Sequence, residues 1–273
     1  MIVPANADCR QDRARLWNLM LGGNEAYEQD RLVLGKLREI APDVERLAIN
    51  EAEFIERAWR FVVGVRGIDQ VIYCGAPLTP EHPPHTAAWE AVALRQLERV
   101  VYVEPDMLLA AKGAGYLADR LATVLRADLM DLEDAVERIN RSGEIRWDEP
   151  VAVVAPGVLH WLGDDAARAW MRDLSDLVAP GSHLVASHFL DPELDSSVVL
   201  IEQLLQVFDR TGTLSGGFFR RRAAIEQLFD GWELVRPGVI PAQGWWPNGP
   251  QLRRETPCDR LMAGVVAQIR RSP

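Results

Sequence analysis

An α/β fold is expected, with a mostly parallel sheet covered by helices on both faces and a helical segment ahead of it. Three observations predict it. Short apolar runs alternate with helix-period segments between residues 71 and 187. Residues 1–64 carry helix-period patterns and no strand-like run. The last two apolar runs are joined by a loop rich in Pro, Gly and Trp with no helix between them, the pattern of an antiparallel hairpin at a sheet edge.

The elements follow in order. Leu16, Leu19 and Met20 share a helical face until Gly22-Gly23-Asn24 breaks the pattern. A second helix is expected over Ala26–Ile40, ending before Pro42, and a third over 43–64, where Leu47, Phe54, Ile55, Ala58 and Phe61 recur near helical spacing. Val71-Ile-Tyr is a short strand running into the turn Cys74-Gly75-Ala76-Pro77. Thr86–Leu97 reads as a helix, Val100–Val103 as the second strand, and 105–119 as a helix. Ala122–Leu125 is the third strand and 132–140 a helix. Val151–Val154 is the fourth strand, Asp164–Leu177 a helix, and Ser182–Ser187 the fifth strand. Helices near 196–209 and 220–229 precede the closing strands Trp232–Val235 and Met262–Ile269. The division expected is a helical cap at 1–64 and a sheet domain at 65–273.

Composition narrows the function. The chain has 273 residues, enough to bury a sizeable core, and 48% hydrophobic and 26% charged residues are ordinary for a globular protein. Its formal charge of −10 argues against general nucleic-acid binding, which needs a basic face. Lys36 and Lys112 are the only lysines; the arginine bias reads as genome composition. Cys9, Cys74 and Cys258 are far apart and form no CxxC pair, so neither a zinc site nor a disulfide framework is indicated, and a reducing cytoplasm is expected. The amino terminus has no signal-peptide core and no apolar run is long enough to span a bilayer.

In doubly wound sheets ligands sit at the carboxyl ends of the strands. The residues there are Cys74 and Gly75, Glu104, Asp128 and Asp131, His160, and Ser187 with His188. Glu104 could accept hydrogen bonds from both ribose hydroxyls, or simply cap the next helix. Asp128 could take an adenine amino group, or cap a helix. A neutral His160 could act as general base, or be a satisfied core histidine; His188 carries the same two readings. His82 and His85 form an HxxH pair without a third ligand at metal spacing, so no metal is expected. Trp245 and Trp246 read as core closure or as a lid over an apolar substrate. No GxxxxGK[ST], GxSxG or GxGxxG occurs.

Taken together, these segments resemble the S-adenosyl methionine-dependent methyltransferase family once catalogued as domain of unknown function 574 (DUF574). Residues 18–31, NLMLGGNEAYEQDR, are similar to the family's NYLLGGKDNFxxDR, and residues 49–58 to its ANRxFLxRA segment. Tyr73–Pro80 followed by His85 is similar to DIGTGLPT and its following histidine. Residues 100–107 resemble VVYVDNDP, 127–131 ADLRD, 158–164 VLHFVPD, and 178–188 LAPGSxLxxSH. The likeness runs over nearly the whole chain.

The resemblance implies a Rossmann-like class I methyltransferase sheet of seven strands, the last antiparallel, behind the helical cap. It implies S-adenosyl methionine in the crevice above Gly75, with Glu104 at the ribose, Asp128 near the adenine, and Gly22, Gly23 and Asn50 as further cofactor contacts. His160 becomes the candidate base, and His188, Trp161 and Trp245 candidate contacts to a small-molecule acceptor. Neither nucleic acid nor membrane is expected as partner; a homodimer stays open. Four positions depart from the family pattern: Tyr73 stands for an acid, Pro77 for a glycine, Asn24 for a lysine and Glu51 for an arginine. They leave two readings, a methyltransferase with an altered cofactor pocket, or a scaffold repurposed for other chemistry or for ligand binding.

Overall fold

The computed structural model describes residues 7–75, 97–116, 122–211, 217–250 and 252–269. Pro77, the His82–His85 pair and all but Leu97 of the helix expected at Thr86–Leu97 lie outside the described residues.

The strands are β1 (Gln70–Cys74), β2 (Arg99–Val103), β3 (Ala122–Leu125), β4 (Ala152–Ala155), β5 (His183–Asp191), β6 (Arg220–Arg221), β7 (Trp232–Leu234), β8 (Ile240–Pro241) and β9 (Met262–Ile269). Their order is β3-β2-β1-β4-β5-β9-β7. β1 to β5 run parallel, while β9 pairs antiparallel with both β5 and β7. The closing hairpin thus has β9 inserted in the sheet and β7 at its edge. The order turns back between β1 and β4, the place where a ligand crevice opens.

The helices are α1 (Ala7–Met20), α2 (Glu28–Ile40), α3 (Arg46–Trp59), α4 (Met107–Tyr116), α5 (Leu132–Ser142), α6 (Asp164–Leu177), α7 (Asp195–Thr211) and α8 (Arg222–Leu228). Alternate strand residues feed two cores, as the pleat requires. Val71, Tyr102, Val154 and Val185 face α1, α2, α3 and α7. Ile72, Val101, Val153 and Leu184 face α5, α6 and α8. The amino-terminal helices therefore share one core with a face of the sheet. α3 continues into a π-helical turn at Arg60–Val65.

Local chemistry explains the helix ends. Asp131 caps α5 by accepting from the Asp134 N–H, and Gly143 closes that helix in the left-handed region. Asp164 and Asp165 in the first turn of α6 complement its dipole.

β5 runs to Asp191 rather than ending at Ser187, so His188 lies inside the strand. Pairing of His188 with Ala263 and Phe189 with Met262 extends it. β6 and β8 are two-residue strands, too short to show a period in sequence.

α3 meets the sheet at Gly264. A Cβ there would lie 2.6 Å from the Phe54 ring. Gly264→Ala is expected to destabilise the protein by about 1–3 kcal/mol through overpacking. Urea denaturation measures this; an unchanged midpoint would show that α3 can shift at no cost.

Candidate functional site

The site grows from the carboxyl ends of β1, β2, β4 and β5. β1 ends at Cys74, and Gly75 turns the chain with φ of 111°, a conformation that favours glycine. The Gly75 N–H donates to the Val103 carbonyl at 2.8 Å, holding the turn against β2. Burial pushes the Cys74 thiol well above its usual range, and the Asp128, Glu104 and Glu51 carboxylates push it further. Three acids from β2, β3 and α3 thus converge on the end of β1.

Glu104 is buried where β2 ends, and its Oε1 accepts from the Asp106 N–H at 2.8 Å. Asp106 is itself locked. Its Oδ1 accepts from the Leu108 and Leu109 N–H groups at 2.8 and 2.9 Å, starting α4, and its Oδ2 accepts from Arg15 Nη1 at 2.8 Å. Arg15 Nε donates to Asp30 Oδ2 at 3.0 Å. One buried arginine therefore clamps α1 and α2 onto the Glu104 turn. Asp128 folds back on its own turn, its Oδ1 accepting from the Met130 N–H at 2.9 Å.

Glu51 lies on the buried face of α3. Ser187 Oγ donates to its Oε1 and the Trp17 indole N–H to its Oε2. Ser187 Oγ in turn accepts from the Gly157 N–H at 2.8 Å, linking α3 to β5 and to the turn after β4. Burial raises the Glu51 carboxyl to about 7, against the pull of the Ser187 and Trp17 hydrogen bonds.

His160 follows β4 in a short 3-10 turn. Its ring stacks on Phe189 at 3.8 Å, with Trp161 at 4.9 Å and Trp17 at 6.5 Å between centroids. Neither ring nitrogen has a hydrogen-bond partner among the described residues. Burial holds its pKa well below the usual range, helped by His188, Arg13 and Arg220, so the ring is neutral. His188 is engaged on both sides. Its Nδ1 lies 2.7 Å from the Phe189 carbonyl and its Nε2 2.8 Å from Arg220 Nη1. Those partners assign the proton to Nδ1. Arg220 also donates to the Leu159 and Leu162 carbonyls at 3.1 and 2.7 Å. His188 and Arg220 thereby brace the turn that carries His160.

Trp161 is half-buried, with the Arg13 guanidinium 4.1 Å from its ring centroid. Trp245 is wholly buried, edge-on to Phe54 and Phe61 at 5.5 and 5.9 Å. Arg57 Nε donates to its carbonyl at 2.8 Å, so the loop is pinned to α3 as core closure. Gly23 lies where a side chain would collide with Asn18, and Gly22 has φ of 85° at the end of α1. Asn50 is buried, its Nδ2 donating to Asp259 Oδ1 at 3.0 Å and its Oδ1 accepting from Arg46 Nη2 at 2.5 Å.

The structure thus gathers Gly75, Glu104 and Asp128 around the end of β1, and His160, Trp161 and His188 around Phe189. Ser187 was legible from its place at the end of the fifth strand, whereas Arg15, Asp106 and Trp17 were not legible as site residues. Arg15 finds its partners 15 and 91 residues away, a spacing with no local signal. Glu51 had a signal, the charge reversal within a matched segment. Among the described residues no group of three or more His, Cys, Asp or Glu could hold a metal ion, and no helix is long and apolar enough to cross a membrane.

Comparison with known proteins adds a family. A family model described as S-adenosyl methyltransferase matches residues 5–270. A crystal structure of a protein provisionally assigned as a methyltransferase, from Thermobifida fusca YX, is 27% identical, covers 94% of each chain and superposes with a TM-score of 0.83. A DUF574 family protein from Streptomyces avermitilis MA-4680 is 21% identical over 94% of this chain and 97% of its own, with a TM-score of 0.82. Magnesium protoporphyrin IX methyltransferase from Synechocystis PCC 6803, solved with bound S-adenosyl homocysteine, shares the fold at 14% identity, 93% coverage of each chain and a TM-score of 0.53. No curated protein matches.

Proposed function

The chain belongs to the S-adenosyl methyltransferase family, and from that premise we propose that it methylates a small-molecule acceptor with S-adenosyl methionine. The supporting observation is the convergence of Glu104 and Asp128 on the end of β1, at the point where the strand order turns back. The cofactor, when bound, supplies a methyl group on a sulfonium, a donor that needs alignment and a dry pocket more than covalent help.

The chain's own residues fit the adenosine part of that group. Gly75, held against the end of β2 by its N–H bond to the Val103 carbonyl, places a backbone without a side chain at the end of β1. Buried Glu104 is suited to the ribose hydroxyls, because a carboxylate offers several acceptor sites. Asp128 suits the adenine amino group. Gly22, Gly23 and Asn50 belong to the same proposal as contacts near the cap. On the acceptor side, His160 presents two unpartnered nitrogens inside an aromatic enclosure. A neutral imidazole there can take a proton from an acceptor that has one to lose. Trp161 and His188 border it, the latter holding the His160 turn through Arg220. Trp245 acts at the pocket only through the packing of α3. A net charge of −10 favours a small metabolite over a nucleic acid as acceptor.

A second reading, ligand binding without methyl transfer, draws on one feature: Glu51, which the resemblance sets against a family arginine, is a buried carboxylate. Calorimetry with S-adenosyl methionine and S-adenosyl homocysteine separates the readings. Binding with turnover of an acceptor supports the first, and binding without turnover of any acceptor the second. Absence of heat with both ligands would remove the first. Glu104→Ala is expected to weaken S-adenosyl homocysteine by about 1–3 kcal/mol, the loss of hydrogen bonds to a charged group. An unchanged affinity would take Glu104 out of the ribose site.

A further inference from the structure

Glu51 is a buried carboxylate whose donors are both neutral. The Trp17 indole can only donate, and the Ser187 hydroxyl, already accepting from Gly157, has its own proton to give. Both carboxylate oxygens are therefore set as acceptors, which is the arrangement of the ionised form. Among the described residues no cation pairs with it. A buried charge without a counter-charge is costly, and a ligand cation removes that cost.

Its position says which part of a ligand would meet it. Glu51 acts electrostatically on Tyr73 and Cys74 at the end of β1, and it bonds Ser187 in β5. It therefore overlies the sheet between β1 and β5, beyond the Glu104 and Asp128 that suit an adenosine. An arm that leaves such an adenosine across the ends of β4 and β5 meets Glu51, which is tied to Ser187 and through it to Gly157.

We propose that Glu51 is a specificity-determining residue that pairs with an ammonium at the amino-acid end of an adenosyl ligand and disfavours a carboxylate beside it. The ligand class is an adenosyl thioether or sulfonium with an aminoalkyl arm. The inference rests on the adenosyl reading above and adds to it the choice of arm.

The groups facing Glu51 separate its titration from theirs. On β1, burial pushes both the Tyr73 hydroxyl and the Cys74 thiol upward. From the turn after β4 and from β5, burial holds His160 well down and lowers His188 to about 3. α1 contributes the Trp17 indole, with Arg13 over Trp161 and Arg15 bound to Asp30 and Asp106; Glu104 and Asp128 lie across the crevice. Glu51 itself is raised to about 7. An ammonium ligand prefers the ionised carboxylate, so its binding strengthens as pH rises from 6 to 8.

The test is calorimetry with three probes: methylthioadenosine, S-adenosyl homocysteine, and decarboxylated S-adenosyl homocysteine, which keeps the ammonium and lacks the carboxylate. The decarboxylated probe is expected to bind at least about tenfold more tightly than S-adenosyl homocysteine. Its affinity should rise severalfold from pH 6 to pH 8. Glu51→Gln should abolish both the preference and the pH dependence while leaving methylthioadenosine unchanged. Glu51→Asp, which keeps the charge, should retain part of the preference; a melting curve on each variant confirms that it is folded. Binding of methylthioadenosine without any Glu51-dependent preference overturns this inference alone. Failure of all three probes overturns the adenosyl reading, and this inference with it.

Discussion

Arg15→Met is expected to destabilise the protein by about 3–5 kcal/mol, the usual cost of removing one member of a buried ion network. The arginine is 6% exposed, and its two carboxylate partners, Asp30 and Asp106, are 1% and 4% exposed. Methionine fills similar volume, so the loss comes from charge rather than from a cavity. Two buried carboxylates would then face each other with no cation between them. The effect should extend to ligand binding. Asp106 holds Glu104 through its backbone N–H, and the Arg15 clamp holds Asp106. S-adenosyl homocysteine should therefore bind more weakly to Arg15→Met even where the variant is fully folded. Arg15→Lys keeps the charge as a single point and loses the fork, and it should fall between the two. Urea denaturation and calorimetry on the three proteins measure this. A stability loss below about 1 kcal/mol for the methionine variant would mean that Asp30 and Asp106 are satisfied without Arg15.

Asp259→Asn is expected to cost a comparable ~3–5 kcal/mol. Asp259 is wholly buried and collects donors from two segments, α3 and the loop at 253–256. Arg46 Nε and Asn50 Nδ2 from α3 reach Oδ1 at 3.0 Å each. Arg253 reaches both oxygens, Nη1 to Oδ2 at 2.6 Å. The Thr256 N–H and hydroxyl reach Oδ2 at 2.7 and 2.8 Å. An asparagine would turn one of those acceptors into a donor aimed at donors. Burial opposes ionisation of Asp259, but the bonds from Arg253, Asn50 and Thr256 overcome it and hold the carboxyl well below its usual range. A carboxyl whose folded pKa is depressed contributes stability above its unfolded value of about 4 and loses it as the pH falls further. Wild-type stability should therefore drop below about pH 4, more steeply than that of Asp259→Asn. Parallel pH profiles for the two proteins would remove Asp259 from the acid response.

The fold was legible because it is written in local patterns. Ala122–Leu125, Asp164–Leu177 and Met262–Ile269 match their expected bounds, since each is an apolar run or a helix-period segment with clear flanks. The candidate site was legible where a residue's place follows from the end of a strand, as for Gly75, Glu104, Asp128 and His160. It was not legible where a partner comes from elsewhere in the chain. His188 read as a residue beyond β5, yet cross-strand pairing carries β5 past it, and Arg220 occupies its ring. Nor does any signal near Asn50 show that Asp259, 209 residues away, takes its amide.

By itself, then, the sequence determined the α/β class, the strand sequence through β5 and the family segments, all properties of periodicity and short-range order. Tertiary structure alone decided which charges meet. It set Arg15 between Asp30 and Asp106, gathered four donor residues onto Asp259, and left Glu51 with neutral partners at the end of β1. Burial and pairing depend on distances in space, and those are set only when α1 and α3 close over the sheet. That closure makes Glu51 a buried carboxylate held by Trp17 and Ser187.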